Sequence, residues 1–291
     1  MEHPVRYRLP KQPQTLVQTI RHCLDGNGLA HDWGDLVLHH KIKGSAVLFL
    51  LTPFQTGGKE AFEPCLLLNK RSQKVLQPGD LCCPGGGVQP LDKILSNALY
   101  WPFSPLRKWP AWQKWKAEDR QKARGLALLL TTALREGWEE MRLNPLKVSF
   151  MGPLPVQNLI MFNRQIHPLV GWAPPNMSLS PNWEVERIVY IPLRRLFDHR
   201  YYARYRISFK TEEGDDQRKE DFPCFLHHGR KGEEILWGAT FRITMDFLKL
   251  VFGFEMPDLS EAPVITRQLG LAYLNGSLMQ PEKDDQKKSI S

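Results

Sequence analysis

The chain has 291 residues, 42% of them apolar and 24% charged, a composition typical of a globular protein with a sizeable core. The formal net charge of +8 favours anionic partners, although no dense run of Lys and Arg points to nucleic acid. Five cysteines without a C-x-x-C pair indicate neither a disulfide framework nor a zinc site. The first residues lack the apolar stretch of a secretory signal, and every apolar run is too short for a membrane span. We therefore expect a cytoplasmic protein without membrane contact.

Short apolar runs and turn residues organise the first third of the chain. An amphipathic helix is predicted over residues 13–25, inside an N-terminal extension of residues 1–40. Residues 45–51 and 64–68 predict two strands. The following loop at 79–87 is dense in Gly and Pro, which indicates an unusual backbone path.

A Trp-rich segment, residues 93–123, interrupts this pattern and contains a short predicted helix near 111–123. Its tryptophans stand among several prolines, lysines and arginines. We favour the interpretation that it forms a local mini-core over the domain. The alternative is an aromatic and basic wall for a nucleotide base or a partner.

The second half begins with a strong helix over residues 124–143, which Asn144-Pro145 ends because Pro cannot continue a helix. A last helix is predicted over about 239–252. The strands predicted between these helices lie near 147–157, 165–173, 184–191, 201–209 and 222–228. We expect one domain over residues 1–280 and a disordered polar tail over 281–291.

The strong helix has two different faces when residues are placed about 100° apart. One apolar stripe is expected to face the core: Ala127, Leu130, Leu134, Trp138 and Met141. The opposite face gathers three carboxylates away from that stripe: Glu136, Glu139 and Glu140. Clustered carboxylate oxygens suit hard divalent cations such as Mg²⁺, although a plain charged helix face would show a similar pattern.

The Gly-rich loop and this helix together resemble the Nudix hydrolase superfamily. The segment Arg135-Glu136-Gly137-Trp138-Glu139-Glu140-Met141-Arg142-Leu143 matches R-E-x-x-E-E and the final apolar residue of the signature R-E-U-x-E-E-x-G-U, where U is apolar. It departs from the signature at Gly137 and Arg142. Counting forward from Gly86, Asp92 stands in the place of the first Glu, and residues 93–126 form an insertion inside the motif.

A second motif is similar to the coenzyme A diphosphatase branch of that superfamily. Leu67 to Gly86 keeps the branch's Leu-Leu, Arg-Ser, Gly and Pro-Gly-Gly, but it is one residue short and has Leu76 and Cys83 in place of Arg and Phe. Glu184-Val185 with Ile191-Pro192-Leu193, and Ile235 to Thr240, resemble later segments of the branch.

The resemblance implies an α/β/α sandwich with a mixed sheet and a diphosphatase that uses Mg²⁺ or Mn²⁺. Glu136, Glu139 and Glu140 would be catalytic residues and metal ligands, with the Gly86 carbonyl as a further ligand. Glu136 is a third ligand or the general base. Arg135 would orient the Glu side chains, and Asp92 would assist as a weaker stand-in for Glu. The substrate-binding candidates are Arg71, Gly85 and Gly86.

Several alternatives remain open at the level of sequence. Coenzyme A or an acyl derivative is the favoured substrate, while ADP-ribose, a dinucleotide or a nucleoside triphosphate would fit the same superfamily. A Nudix-fold nucleotide-binding module without catalysis is a further functional alternative. The oligomeric state is also open, with a homodimer as one candidate. The general base could instead come from a later segment, where the candidate carboxylates are Glu184, Glu186, Glu233 and Glu234. The later histidines receive no role: His167, His199, His227 and His228.

Overall fold

The computed structural model describes residues 9–10, 12–26, 43–55, 62–159, 164–209, 219–229, 231–269 and 273. The helices of this part of the chain are α1 (Pro13–Gly26), α2 (Pro90–Leu95), α3 (Pro110–Glu118), α4 (Arg120–Met141), α5 (Leu193–Leu196) and α6 (Gly238–Phe252). The strands are β1 (Lys43–Gln55), β2 (Phe62–Arg71), β3 (Leu81–Cys82), β4 (Gly85–Gly87), β5 (Ser149–Pro153), β6 (Gln157–Leu159), β7 (Arg164–Trp172), β8 (Val185–Pro192), β9 (Tyr202–Phe209), β10 (Lys219–Gly229), β11 (Gly232–Trp237) and β12 (Val264–Leu269).

The larger sheet has the strand order β3-β2-β1-β7-β5, and β4, β6 and β8 pair with β1, β7 and β2. The central pair β1 and β7 is parallel. The other pairings are antiparallel, so the sheet is mixed. This arrangement puts the Gly-rich strand β4 beside β1, where α4 also packs.

Both faces of the larger sheet are covered, and strand β1 shows why. Its side chains alternate between the faces, as the period of a strand requires. Leu48 and Leu50 join the core beneath α4, whereas Phe49 and Leu51 join the core with α1 and α6. Because both faces are buried, the strand is an unbroken apolar run in the sequence. The predicted α/β/α sandwich with a mixed sheet is confirmed.

The N-terminal helix is held by one apolar stripe. Leu16, Ile20 and Leu24 recur every fourth residue and are at most 3% exposed. They pack in the same core as Phe247 of α6, whose ring lies 4.7 Å from that of Phe49. The amphipathic helix predicted over 13–25 is confirmed.

The Trp-rich segment continues the core that lies under α4. Trp109 and Trp112 are each 2% exposed, and the Trp109 ring meets Phe150 of β5 edge-on at 5.0 Å. These two residues form the mini-core that the sequence favoured. Trp101 lies outside it and is 67% exposed.

The helix predicted near 111–123 exists, but its predicted C-terminal end is wrong. Helix α3 stops at Glu118, and α4 begins at Arg120 rather than at residue 124. The break follows from Asp119, whose Oδ1 accepts a hydrogen bond from the Lys122 N–H at 2.9 Å and caps the new helix. The tail predicted over 281–291 lies outside the described residues.

A second sheet, with the order β11-β10-β9-β12, packs beside the first. Strands β11 and β12 were not predicted. In β11 the first residues are exposed and only Ile235 to Trp237 form a short apolar run, which is less than a strand normally needs to be recognised. Phe225 and Leu236 of this sheet enter the core shared with α6. No helix in the described ranges combines the length and apolarity that a membrane span needs.

His227 of β10 should make stability depend on pH. The residue is 5% exposed, and burial, together with the charges of Arg195 and His228, lowers its pKa from 6.5 to about 4. Between these pH values the unfolded chain binds the proton and the folded chain does not. The contribution of His227 to the free energy of unfolding should therefore fall as pH drops from 6.5 to about 4, opposite in sign to the contribution of a carboxyl group with a raised pKa such as Glu140.

Urea unfolding across this pH range measures the effect. The difference in unfolding free energy between the unchanged protein and His227→Gln should change across this pH range, whereas the difference for His228→Gln, on the exposed neighbour, should change little. An unchanged slope in His227→Gln would assign the pH dependence to other groups.

Candidate cation and active site

The Gly-rich strand β4 brings backbone close to the acidic helix. A Cβ at Gly85, whose φ is 155°, would collide with the backbone of Ala46 and Val47 on β1. A Cβ at Gly86 would collide with the carboxylate of Glu136 on α4. Glycine is therefore needed at Gly85 for strand pairing, whereas at Gly86 it leaves room for the Glu136 carboxylate.

Arg135 is the centre of a network that organises this end of α4. Its Nη2 donates to Glu136 Oε1 at 2.8 Å, and its Nη1 donates to Glu139 Oε2 at 2.9 Å. A weaker bond runs from Nη2 to the Gly87 carbonyl oxygen at 3.3 Å. The guanidinium thus fixes two carboxylates of the motif and one end of β4.

Asp92 binds Arg135 from the buried side of this network. Its Oδ1 accepts from Arg135 Nε at 2.7 Å, while Oδ2 accepts from the Gln89 N–H at 2.8 Å and the Thr132 hydroxyl at 2.9 Å. Burial acts to raise the pKa of Asp92, but these hydrogen bonds outweigh it and the pKa lies below its ordinary value. The carboxylate is 0% exposed. Both oxygens of Asp92 are bonded within the protein, so the role that the structure indicates for it is to position Arg135.

Glu140 differs from the other two carboxylates of the helix. It is 9% exposed, and its Oε2 accepts from the Asn69 side-chain amide at 2.8 Å and from the Gly85 N–H at 3.3 Å. Among the described residues no Lys, Arg or His forms an ion pair with it. Burial and the nearby charge of Glu136 raise its pKa to about 8. A buried carboxylate with neutral donors alone is costly, so this position favours a cation.

The two predicted faces of the helix need correction. Trp138 was placed in the apolar stripe but is 47% exposed, and Glu140 was placed on the open face but is buried. The reason is that β4 and β2 pack on the acidic side of the helix, so that side is not open to solvent along its length. Glu139, with a side chain 44% exposed, matches the prediction.

The two departures from the family signature have local structural causes. A Cβ at Gly137 would lie 2.9 Å from Leu143 Cδ2, so the absence of a side chain lets the helix end fold back on itself. Arg142 adopts the left-handed conformation, with φ at 58°, in the C-terminal cap where glycine is most common. Its guanidinium lies 4.5 Å from the ring centre of Trp138, a cation–π contact.

Most later carboxylates are engaged elsewhere. Glu234 is 5% exposed and pairs with Arg187 and with Lys70, the latter at 3.2 Å. Glu186 pairs with Arg187, and Glu233 lies 3.3 Å from His228. Glu184 is the exception, because its charge contributes to the raised pKa of Glu140 and it therefore lies near that carboxyl.

The second motif contributes two groups on strand β2. Arg71 reduces the pKa rise of Glu140 through its charge, and its Nε donates to the Leu76 carbonyl oxygen at 2.6 Å. Asn69, two residues earlier, was not singled out from the sequence, although it is the direct partner of Glu140. A polar residue directly after the apolar run 65–68 was the available signal.

Within the described ranges, no three His, Cys, Asp or Glu side chains converge as a group that could hold a metal ion. The three motif carboxylates do not converge because they turn toward different partners. Glu136 and Glu139 both turn toward Arg135, whereas Glu140 turns toward Asn69 and Gly85.

Gly86→Ala should reduce any activity of this site by more than about tenfold, because the new methyl group displaces the Glu136 carboxylate. Gly87→Ala is the matched control, since a Cβ there has nothing within 4 Å. Steady-state turnover and thermal unfolding of both variants measure the effect. Equal turnover in the two variants would show that the position of Glu136 is unimportant.

Neither the family models nor the curated proteins give a match to this chain. Among solved structures, a Nudix hydrolase from M. smegmatis, RenU, is 16% identical, covering 54% of this chain and 74% of that one with a TM-score of 0.33. A MutT/nudix family protein from Enterococcus faecalis is 12% identical, covering 84% and 75% with a TM-score of 0.37. The NUDIX domain of Shewanella oneidensis NrtR, complexed with ADP ribose, is 13% identical, covering 57% and 86% with a TM-score of 0.31.

Proposed function

We propose that this chain is a Nudix-type hydrolase that uses Mg²⁺ or Mn²⁺ to cleave a nucleoside diphosphate linked to another group. The observation that carries the proposal is Glu140, a buried carboxylate that forms no ion pair with a Lys, Arg or His of the described residues, next to Glu136 and Glu139. The spacing of these residues with Arg135 supports the same superfamily through the signature.

The donor set fits a hard divalent cation. Glu136, Glu139 and Glu140 would hold it, together with the Gly86 carbonyl, and all of these donors are oxygen atoms. When bound, the cation would neutralise diphosphate charge and lower the pKa of a water molecule. Arg135 would orient Glu136 and Glu139 through the hydrogen bonds that it donates to both carboxylates.

The residues of the chain have further roles in this proposal. Asp92 positions Arg135 from the buried side, and Asn69 with the Gly85 N–H positions Glu140. Glu136 is a third ligand or the general base that takes the proton from water. Glu184 is the second candidate base, supported by its closeness to Glu140.

We further propose coenzyme A, free or acylated, as the substrate. Support comes from the second motif, which keeps Arg71 and the Pro-Gly-Gly that contains Gly85 and Gly86. Cleavage would give 4′-phosphopantetheine and adenosine 3′,5′-bisphosphate. Arg71 would meet substrate phosphate, since its charge already acts at the site.

A diphosphate panel with product analysis tests both levels of the proposal. The full chain with Mn²⁺ is incubated with coenzyme A, ADP-ribose, a diadenosine polyphosphate and ATP. Coenzyme A should give the highest kcat/KM and the two products above. Preference for another compound would overturn the substrate. No turnover of any compound by protein that binds Mn²⁺ would overturn the hydrolase and favour a binding module.

A further inference from the structure

The Trp-rich insertion forms a second concave site away from the acidic residues. Residues of α2, of the turn that follows it, of α3 and of the first part of α4 enclose a cavity of about 590 Å³. Besides four basic residues, its lining includes Ser96, Asn97, Tyr100 and Leu128. The volume is within the range of small-molecule binding sites.

All the charged residues that line this cavity are basic. Lys93, Lys116, Arg120 and Arg124 line it, and its lining contains no Asp or Glu. Within the described part of the chain, none of these four cations forms an ion pair with a carboxylate. The nearby Glu118 pairs instead with Lys114, at 3.9 Å.

The neighbouring acids are turned to other partners. Asp119 caps α4 through the Lys122 N–H, and Asp92, next to Lys93 in sequence, is buried against Arg135. Arg120 and Arg124 are spaced by one helical turn, an arrangement of like charges that destabilises a helix unless an anion lies between them. The first turn of α4 adds the positive end of the helix dipole.

The walls add apolar surface to these charges. Tyr100, 38% exposed, packs against the buried Trp112 with ring centres 5.2 Å apart and planes tilted by 53°, and Leu128 adds an apolar side chain to the lining. Guanidinium and ammonium groups beside an aromatic ring are suited to phosphate and to a planar base.

We propose that this cavity, which we name the insertion cavity, binds a small polyphosphate ligand, a nucleoside di- or triphosphate. It is distinct from the acidic cluster because Glu136, Glu139 and Glu140 do not line it. Arg124 and Glu136 are twelve positions apart on α4, which is about 18 Å along a helix axis. The inference does not depend on the proposed hydrolase activity.

Calorimetric titration of the full chain with ADP, and separately with inorganic pyrophosphate, tests the proposal in EDTA, where divalent-dependent binding is removed. Both probes should bind, ADP more tightly because of its base. Arg124→Glu should weaken both by about tenfold or more, with Arg124→Gln intermediate. Lys114→Glu, on the same insertion but outside the cavity, should bind both probes nearly as the unchanged protein does.

Three results would overturn the proposal. One is no binding of either probe. Another is binding that Arg124→Glu and Lys114→Glu weaken equally, which would indicate the general positive charge of the chain. The last is binding of a single-stranded oligonucleotide but not of pyrophosphate, which would make the surface a nucleic-acid contact. Circular dichroism of Arg124→Gln confirms that the folded chain is being measured.

Discussion

Glu140→Gln is expected to lower kcat by about 10²–10³-fold on the best diphosphate substrate while raising the melting temperature in metal-free buffer. Turnover falls because a cation ligand is lost. Stability rises because glutamine removes a buried carboxylate that has only neutral donors around it, Asn69 and the Gly85 N–H. A group with a merely structural role would lose activity and stability together.

Glu139→Gln should reduce kcat by a similar factor with little change in melting temperature, because its side chain is 44% exposed. Glu118→Gln, on the exposed surface of α3, is the control and should change neither quantity. Near-normal turnover in Glu139→Gln or Glu140→Gln would remove that residue from the catalytic assignment. A lower melting temperature in Glu140→Gln would contradict the account of its burial.

Arg135→Ala is expected to cost about 3–5 kcal/mol of unfolding free energy, because breaking a buried ion pair leaves an uncompensated charge. The reason is Asp92, which is 0% exposed and would keep its charge without a counter-ion. Glu136 and Glu139 would lose the donors that orient them, so turnover should also fall. Chemical denaturation and steady-state kinetics on the same preparation measure the two effects.

A surface pair provides the matched comparison for Arg135. Arg206 of β9 and Asp221 of β10 form a two-bond pair at 2.6 and 2.8 Å, with side chains 36% and 27% exposed. Arg206→Ala should cost less than about 1 kcal/mol, since exposed ion pairs contribute little. The double variant Asp92→Ala with Arg135→Ala should lose less unfolding free energy than the two single variants lose together. Equal costs for Arg135→Ala and Arg206→Ala would contradict the buried network.

The fold was largely predictable because its main elements have regular apolar patterns. Strand β1 and helix α1 each bury a periodic set of side chains, and both were placed within a few residues. Strand β11 was missed because its apolar part is only Ile235 to Trp237. The break at Asp119 was missed because residues that favour helix formation stand on both sides of it. Only the helix cap formed by the Asp119 side chain separates the two helices.

The sequence predicted which residues form the site, but it predicted their burial and contacts less well. The spacing of Arg135, Glu136, Glu139 and Glu140 identified the group, but helical periodicity could not show which other element covers the acidic face. Strand β2, through Asn69, and strand β4, through Gly85, bury Glu140 from parts of the chain 71 and 55 residues away. Such long-range contacts decide burial, and local pattern carries no information about them.

Thermal unfolding with increasing Mn²⁺ tests the central claim most directly, because it measures cation binding without any assumption about substrate. The unchanged protein should gain about 2.7 kcal/mol at a free Mn²⁺ concentration one hundred times Kd. Glu140→Gln should require far more Mn²⁺ for the same gain, and Glu118→Gln should behave as the unchanged protein does. A gain that is absent from the unchanged protein, or fully retained in Glu140→Gln, would contradict a cation site at these carboxylates.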